Sequence, residues 1–182
     1  MRERVRGAVD SRKILIIAAV VAAIAAVWLT AAQPWAGDAS AGAGSAQSGN
    51  DVTLAITGQT LDGSAFDSAQ YAGRPVVVNF FASWCPPCNA EAPDLAAFAK
   101  AHPGVAFVGV DVNDQLADAK AFVAKYGLSY PIVYDGQGEL GQRYGVDGIP
   151  TTMFFDKTGK RVDVVVGAMD RPAFEERLKA AL

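Results

Sequence analysis

The stretch Val76-Val-Val-Asn-Phe-Phe-Ala-Ser-Trp84-Cys85-Pro86-Pro87-Cys88 leaves few folds open to this chain. Its apolar, β-branched first half reads as a central strand buried on both faces, and two successive prolines forbid the strand from continuing. Proline is well placed in the first turn of a helix, so the chain is expected to switch from strand to helix here. Cys85 then falls at the N-cap and Cys88 one turn inside. That position aims backbone N–H groups and the positive end of the helix dipole at the Cys85 sulfur, favouring a thiolate near neutral pH. Cys88 waits one turn behind as a resolving thiol. These two are the only cysteines in the chain. Strand, C-x-x-C and helix in that order form the pattern of a dithiol–disulfide exchange site.

Other uses of two cysteines fit less well. A structural zinc site takes four ligands, which two cysteines and the single histidine, His102, do not supply within one chain. A purely structural disulfide closing so short a loop would restrain the unfolded chain very little. The expectation is therefore no metal and no cofactor, only a redox-active Cys85–Cys88 pair. Net charge is −3, and the basic residues form no patch beyond the first thirteen positions, so nothing invites nucleic acid.

The N-terminal region reads as three segments. Residues 1–13 carry Arg2, Arg4, Arg6, Arg12 and Lys13 against Glu3 and Asp10, and residues 14–32 contain no charge. A helix over 14–32 would span roughly 28 Å at about 1.5 Å per residue, close to a hydrocarbon core. The basic flank would stay cytoplasmic, giving a single-pass cell-membrane anchor that holds all that follows outside. Trp28 and Trp35 bracket its outer end. The alternative is a signal peptide cleaved after Ala32, leaving a secreted protein. No cysteine follows the hydrophobic run, which excludes a lipoprotein. Residues 33–50 are Gly/Ala/Ser-rich and read as a flexible linker.

A folded domain is expected over 51–182. The alternation over 52–57 predicts a strand that opens a β-hairpin, with turns at Gly58 and Asp62-Gly63. A helix follows over 86–101, with Pro93 expected to kink it and His102 to close it before Pro103. Further strands are expected over 105–112, 130–134, 151–156 and 161–167, and helices over 115–126, 139–144 and from Asp170 onward. Asp170 is a natural N-cap, with Pro172 in the first turn behind it. Strands alternating with helices and ending in a hairpin predict an α/β fold, a central mixed sheet flanked by helices.

Three features of this domain resemble the thioredoxin superfamily, and more narrowly its membrane-anchored TlpA/ResA/DsbE-like branch. The first is Phe80-Phe-Ala-Ser-Trp84-Cys85-Pro-Pro-Cys88. The second is Gly148-Ile149-Pro150-Thr151, which is similar to the family's cis-proline loop facing the dithiol. The third is an inserted helix and strand within 114–137, as in that branch. A peroxiredoxin would instead carry a threonine where Ala82 stands. A Sco-like copper chaperone uses C-x-x-x-C with a distal histidine.

The resemblance implies a thioredoxin-like fold and an extracytoplasmic protein thiol–disulfide oxidoreductase. Cys85 would be the nucleophile, and Trp84, Ile149 and Pro150 would shape the surface that receives substrate. Thioredoxin keeps a buried aspartate where this chain has Asn79, which cannot ionise. Glu91, three residues after Cys88, is expected to replace it as proton acceptor, since one helical turn brings it to the same side. The implied partners are cysteine-containing exported proteins, apocytochrome c among them, and a membrane electron donor or acceptor. Pro86 and Pro87 lack the N–H that other residues would offer the sulfur, which points to a reductant; an oxidase remains the alternative.

Overall fold

A computed structural model describes residues 52–182 of the chain. The basic tail, the hydrophobic segment 14–32 and the linker lie outside the described residues. No described helix is long and apolar enough to cross a membrane.

In chain order the described elements are β1 (Thr57–Gln59), β2 (Ala65–Asp67), β3 (Val76–Phe81), α1 (Pro86–Ala101), β4 (Ala106–Val112) and α2 (Leu116–Tyr126). They continue with β5 (Ile132–Asp135), α3 (Glu139–Arg143), β6 (Thr151–Phe155), β7 (Arg161–Val166) and α4 (Arg171–Leu178). β1 and β2 form a separate hairpin, and the other strands form one sheet in the order β5-β4-β3-β6-β7. β3 runs parallel to β4 and antiparallel to β6. All its residues are buried, as its unbroken apolar run predicts. α2 and β5 are the inserted helix–strand unit, with β5 parallel to β4.

Alternate residues of β3 serve two cores. Val76, Val78 and Phe80 meet Val108, Val110 and Phe155 on one face, closed by Ile56, Phe66, Leu140 and Tyr144. On the other face Val77 joins Phe107 and Phe154 beneath Leu95 and Phe98 of α1 and Phe174 and Leu178 of α4. Phe81 joins Ala92, Phe122 and Ile132 beside the two cysteines. Asp170 caps α4 by accepting from Ala173 N at 3.0 Å, with Pro172 in the first turn. α1 runs without a break through Pro93 and ends at His102. The His102 ring packs on Phe98 and places Nε2 3.1 Å from Glu175 Oε2.

The strand expected over 52–57 is a correction. Over 52–56 only Thr53 pairs, in an isolated bridge to Lys160, flanked by Leu54 N donating to Gly159 O and Arg161 N to Val52 O. The hairpin starts later, at Thr57. The alternation nevertheless has a physical cause. Ile56 is fully buried and Val52 and Leu54 are half-buried against the sheet face, while Thr53 and Ala55 point outward. An extended segment lying across a core shows the same period of two as one paired in a ladder.

Candidate active site

The strand-to-helix switch occurs where the prolines require it. Cys85 has extended backbone (φ −86°, ψ 112°), and Pro86 and Pro87 open α1. Cys85 Sγ accepts a hydrogen bond from Cys88 N at 3.2 Å. The cysteines form a disulfide with an S–S distance of 2.06 Å and a Cα–Cα distance of 5.2 Å. Both are almost wholly buried, each 2 % exposed. Trp84, just before them, is the opposite at 59 %.

Side chains far along the chain brace this turn. Asp114, just after β4, accepts from Ser83 N and, at 3.0 Å, from Ser83 Oγ. Trp84 Nε1 donates to Asn113 O at 3.1 Å, which holds the exposed indole in place. From behind, Asn89 Nδ2 donates to Ser83 O at 2.8 Å and to Cys85 O at 3.0 Å. Tyr126 of α2 fixes that amide by donating to its Oδ1 at 2.8 Å.

The second predicted loop sits beside the first because β6 pairs with β3, Thr151 opposite Phe80. The Ile149–Pro150 peptide is cis. Ile149 O lies 3.6 Å from Cys85 Sγ. Thr151 Oγ1 donates back to Gly148 O at 2.6 Å, and Gly167 N donates to Pro150 O at 2.8 Å. Cys85, Cys88 and Ile149 thus come together, with Trp84 exposed at the margin and Pro150 buried behind Ile149.

Glu91 lies one turn further along α1 and is 3 % exposed. Its Oε1 accepts from Asn79 Nδ2 and its Oε2 from Met169 N, each at 2.8 Å. Burial pushes its carboxyl up to about 7, against the opposing pull of those donors. Asn79 also donates to Thr152 Oγ1 at 2.9 Å. In the sequence Asn79 reads only as a lost aspartate; in the fold it is the clamp on Glu91. Its signal is a lone amide inside an apolar strand, which must find partners when buried. Tyr130 is a further neighbour, its hydroxyl pushed far above the usual phenol range by burial and by the charge of Glu91. Asp114, Asn89 and the Met169 amide had no local sequence signal. Among the described residues no group of three or more His, Cys, Asp and Glu side chains is arranged to hold a metal ion.

This arrangement can exchange a disulfide: a cysteine at a helix N-cap, a second thiol one turn behind, and a buried carboxyl that titrates near neutrality. Comparison with known proteins points the same way. Residues 46–182 match the Redoxin family model. The soluble secreted antigen MPT53 of Mycobacterium tuberculosis is 37 % identical over 132 residues, covering 71 % of this chain and 76 % of that protein. The thiol-disulfide oxidoreductase ResA of Geobacillus thermodenitrificans is 31 % identical over 122 residues, covering 66 % and 70 %. Among solved structures, a secreted M. tuberculosis disulfide oxidoreductase homologous to E. coli DsbE superposes with a TM-score of 0.65. It is 36 % identical, with 69 % of this chain and 95 % of that one covered. StoA of Bacillus subtilis gives 0.58 at 29 % identity, with 69 % and 96 % covered. The chain belongs to the Redoxin family, as a thiol–disulfide oxidoreductase with a thioredoxin-like fold.

Proposed function

We propose that this chain is an extracytoplasmic reductant of protein disulfides. The observation that carries the direction is the poverty of donors at the Cys85 sulfur. Cys88 N reaches it, whereas Pro86 and Pro87 have no N–H to give. A thiolate stabilised by fewer donors is a better electron source, because a strongly stabilised thiolate is what makes a dithiol site oxidising.

In the proposed reaction the Cys85 thiolate attacks one sulfur of a substrate disulfide. A mixed disulfide forms and the other substrate sulfur leaves as a thiolate. Cys88 gives its proton to Glu91 and attacks Cys85 Sγ, releasing the second substrate thiol and leaving the Cys85–Cys88 disulfide. Two electrons from a membrane donor then restore the dithiol. A carboxyl titrating at about 7 suits the proton acceptor, since it is partly ionised before contact and can release the proton afterwards. Trp84 and Ile149 form the surface that the substrate backbone meets, and the buried cis Pro150 sets the course of the loop that carries Ile149.

Segment 14–32 is proposed as the membrane anchor and 33–50 as the tether, with the domain outside the cytoplasm. MPT53, named a soluble secreted antigen, supports the same compartment through secretion instead. Substrates in this reading are exported proteins with cysteine pairs, apocytochrome c being a candidate because its haem-binding thiols must be reduced. Equilibration with glutathione tests the direction. A potential near or below about −220 mV is expected, and one of about −120 to −180 mV would make the protein an oxidase or isomerase. Cys85→Ser is expected to abolish insulin reduction; an unchanged rate would sink the mechanism.

A further inference from the structure

We propose that the outward face of β7, with Lys157 and Lys160 of the turn before it, docks on the surface of an anionic phospholipid membrane. The inference rests on the proposed anchor at 14–32, and it adds which side of the domain meets the bilayer.

The strand itself is the first argument. β7 lies at the edge of the sheet, and its side chains alternate, so Val162, Val164 and Val166 share one face. They are 38 %, 42 % and 70 % exposed, whereas Met153, opposite Val164 on β6, is buried. The apolar sheet face thus runs on past its cover. The other large apolar side chains exposed among the described residues, Trp84, Leu116 and Leu182, belong to three separate segments.

A sheet edge invites another strand, but this one is closed at its centre. Gly167 N donates to Pro150 O, so the alternate N–H groups of Val164 and Val166 point away from β6. The Val164 N–H is already taken by Asp163 Oδ1 at 2.8 Å. Such a local cap protects an edge from pairing and leaves the valine side chains open to a surface.

Position and charge select a membrane as that surface. The N-terminal segment joins the domain at the lysine end of β7, where Arg161 N donates to Val52 O and Thr53 bridges Lys160. A flexible tether over 33–50 would have a mean span of roughly 25 Å, which keeps β7 at high effective concentration beside the bilayer. Weak contacts suffice under that constraint. Lys157 and Lys160 are exposed, and neither ammonium is in ion-pair contact with a carboxylate among the described residues. The one carboxylate of their turn, Asp156, accepts from Thr158 N and Lys160 N. Exposed apolar side chains flanked by ammonium groups match the interface of a bilayer with anionic headgroups. At the other end Val166 lies beside Gly148, next to the exposed Asp147, so the lysine end is held nearer the phosphates. Lying on this side, the domain carries the Cys85 site along the membrane.

Full-length protein should be reconstituted into phosphatidylcholine vesicles, with or without an equal part of phosphatidylglycerol, and floated. The photo-crosslinking residue p-benzoylphenylalanine replaces Val164 in one sample and Leu116 in another. Leu116 is similarly exposed, at 40 %, but opens α2. With phosphatidylglycerol, lipid adducts at position 164 are expected to exceed those at 116 about tenfold. Lys157→Glu with Lys160→Glu should lower that ratio severalfold, as should about 0.5 M sodium chloride or the omission of phosphatidylglycerol. Equal yields at the two positions in protein that floats would overturn the docking and leave the anchor standing. Adducts at 164 with a second copy of the chain in place of lipid would overturn it as well, making β7 a dimer contact. A ratio unmoved by both the lysine substitutions and salt would overturn the anionic partner. Protein that floats with neither vesicle would remove the anchor, and the docking with it.

Discussion

Two buried carboxyl groups of this domain have opposite surroundings. Glu91 of α1 is 3 % exposed and receives a hydrogen bond on each oxygen, from Asn79 and from the Met169 amide. Asp111 of β4 is fully buried, and neither of its oxygens has a hydrogen-bond partner among the described residues. Burial raises both, Glu91 to about 7 and Asp111 to about 8. The remaining influences act in opposite directions. The donors at Glu91 favour its ionised form, whereas the charges of Asp114 and Asp135 push Asp111 further up. Asp114 stands close, but the two carboxyl groups do not meet in hydrogen-bond geometry. Burial alone therefore does not make a general base. A carboxyl works as one when donors hold it and support its charge; without them it is a buried acid that destabilises the fold once ionised.

Glu91→Gln is the largest test of that contrast. In the proposed mechanism the ionised carboxylate takes the Cys88 proton, so the rate of mixed-disulfide resolution should rise with pH through about 7. The amide keeps the shape and loses the base. Resolution is expected to slow by about a hundredfold near neutral pH, and the inflection near 7 should vanish. Quenched-flow trapping of the mixed disulfide with Cys85 measures both. An inflection that survives the substitution would assign the proton to another group.

Asp111→Asn should act on stability instead. In the unfolded chain an aspartate titrates near 4, below the folded value of about 8. The folded state thus binds the extra proton between those values, and stability from this group is fully present below about pH 4 and lost as pH climbs through 8. The variant removes that loss. Relative to the unaltered protein, its stability is expected to improve by on the order of 4 kcal/mol between pH 5 and pH 9. Urea unfolding at the two pH values checks it. A variant less stable at pH 9 would show that the Asp111 carboxylate has a favourable role.

The sequence makes the chemistry of this domain more legible than its support. Two prolines after an apolar run force the turn that presents Cys85, a constraint carried within thirteen residues. The Gly148–Thr151 loop and the inserted α2–β5 unit were likewise readable by resemblance. What escaped depends on distance along the chain. Glu91 and the Met169 amide are 78 positions apart, and Ser83 and Asp114 are 31 apart. No local pattern announces such pairs. Periodicity gave the inward face of residues 52–56 correctly but not their neighbour, since it records burial and is blind to what lies above. Asp111 shows the same limit: its place in an apolar strand implies burial, but not which charges surround it.

Tyr130→Phe is the smallest and sharpest probe of the comparison. The Tyr130 hydroxyl is buried without a hydrogen-bond partner among the described residues, close enough to Glu91 to feel its charge. It resembles Asp111 in lacking a partner and Glu91 in its location. Removing it leaves the ring on Phe107, 5.9 Å between centroids, and deletes only the unpaired group. A hydroxyl that meets nothing costs free energy to bury, so the variant is expected to gain about 1 kcal/mol of stability. The inflection that Glu91 imparts to the resolution rate should stay where it is. An upward shift would mean that the hydroxyl donates to the Glu91 carboxylate through a bridging water, because losing a donor to the charged form raises an acid's pKa. Glu91 would then be held by three groups rather than two, and the contrast with Asp111 would widen.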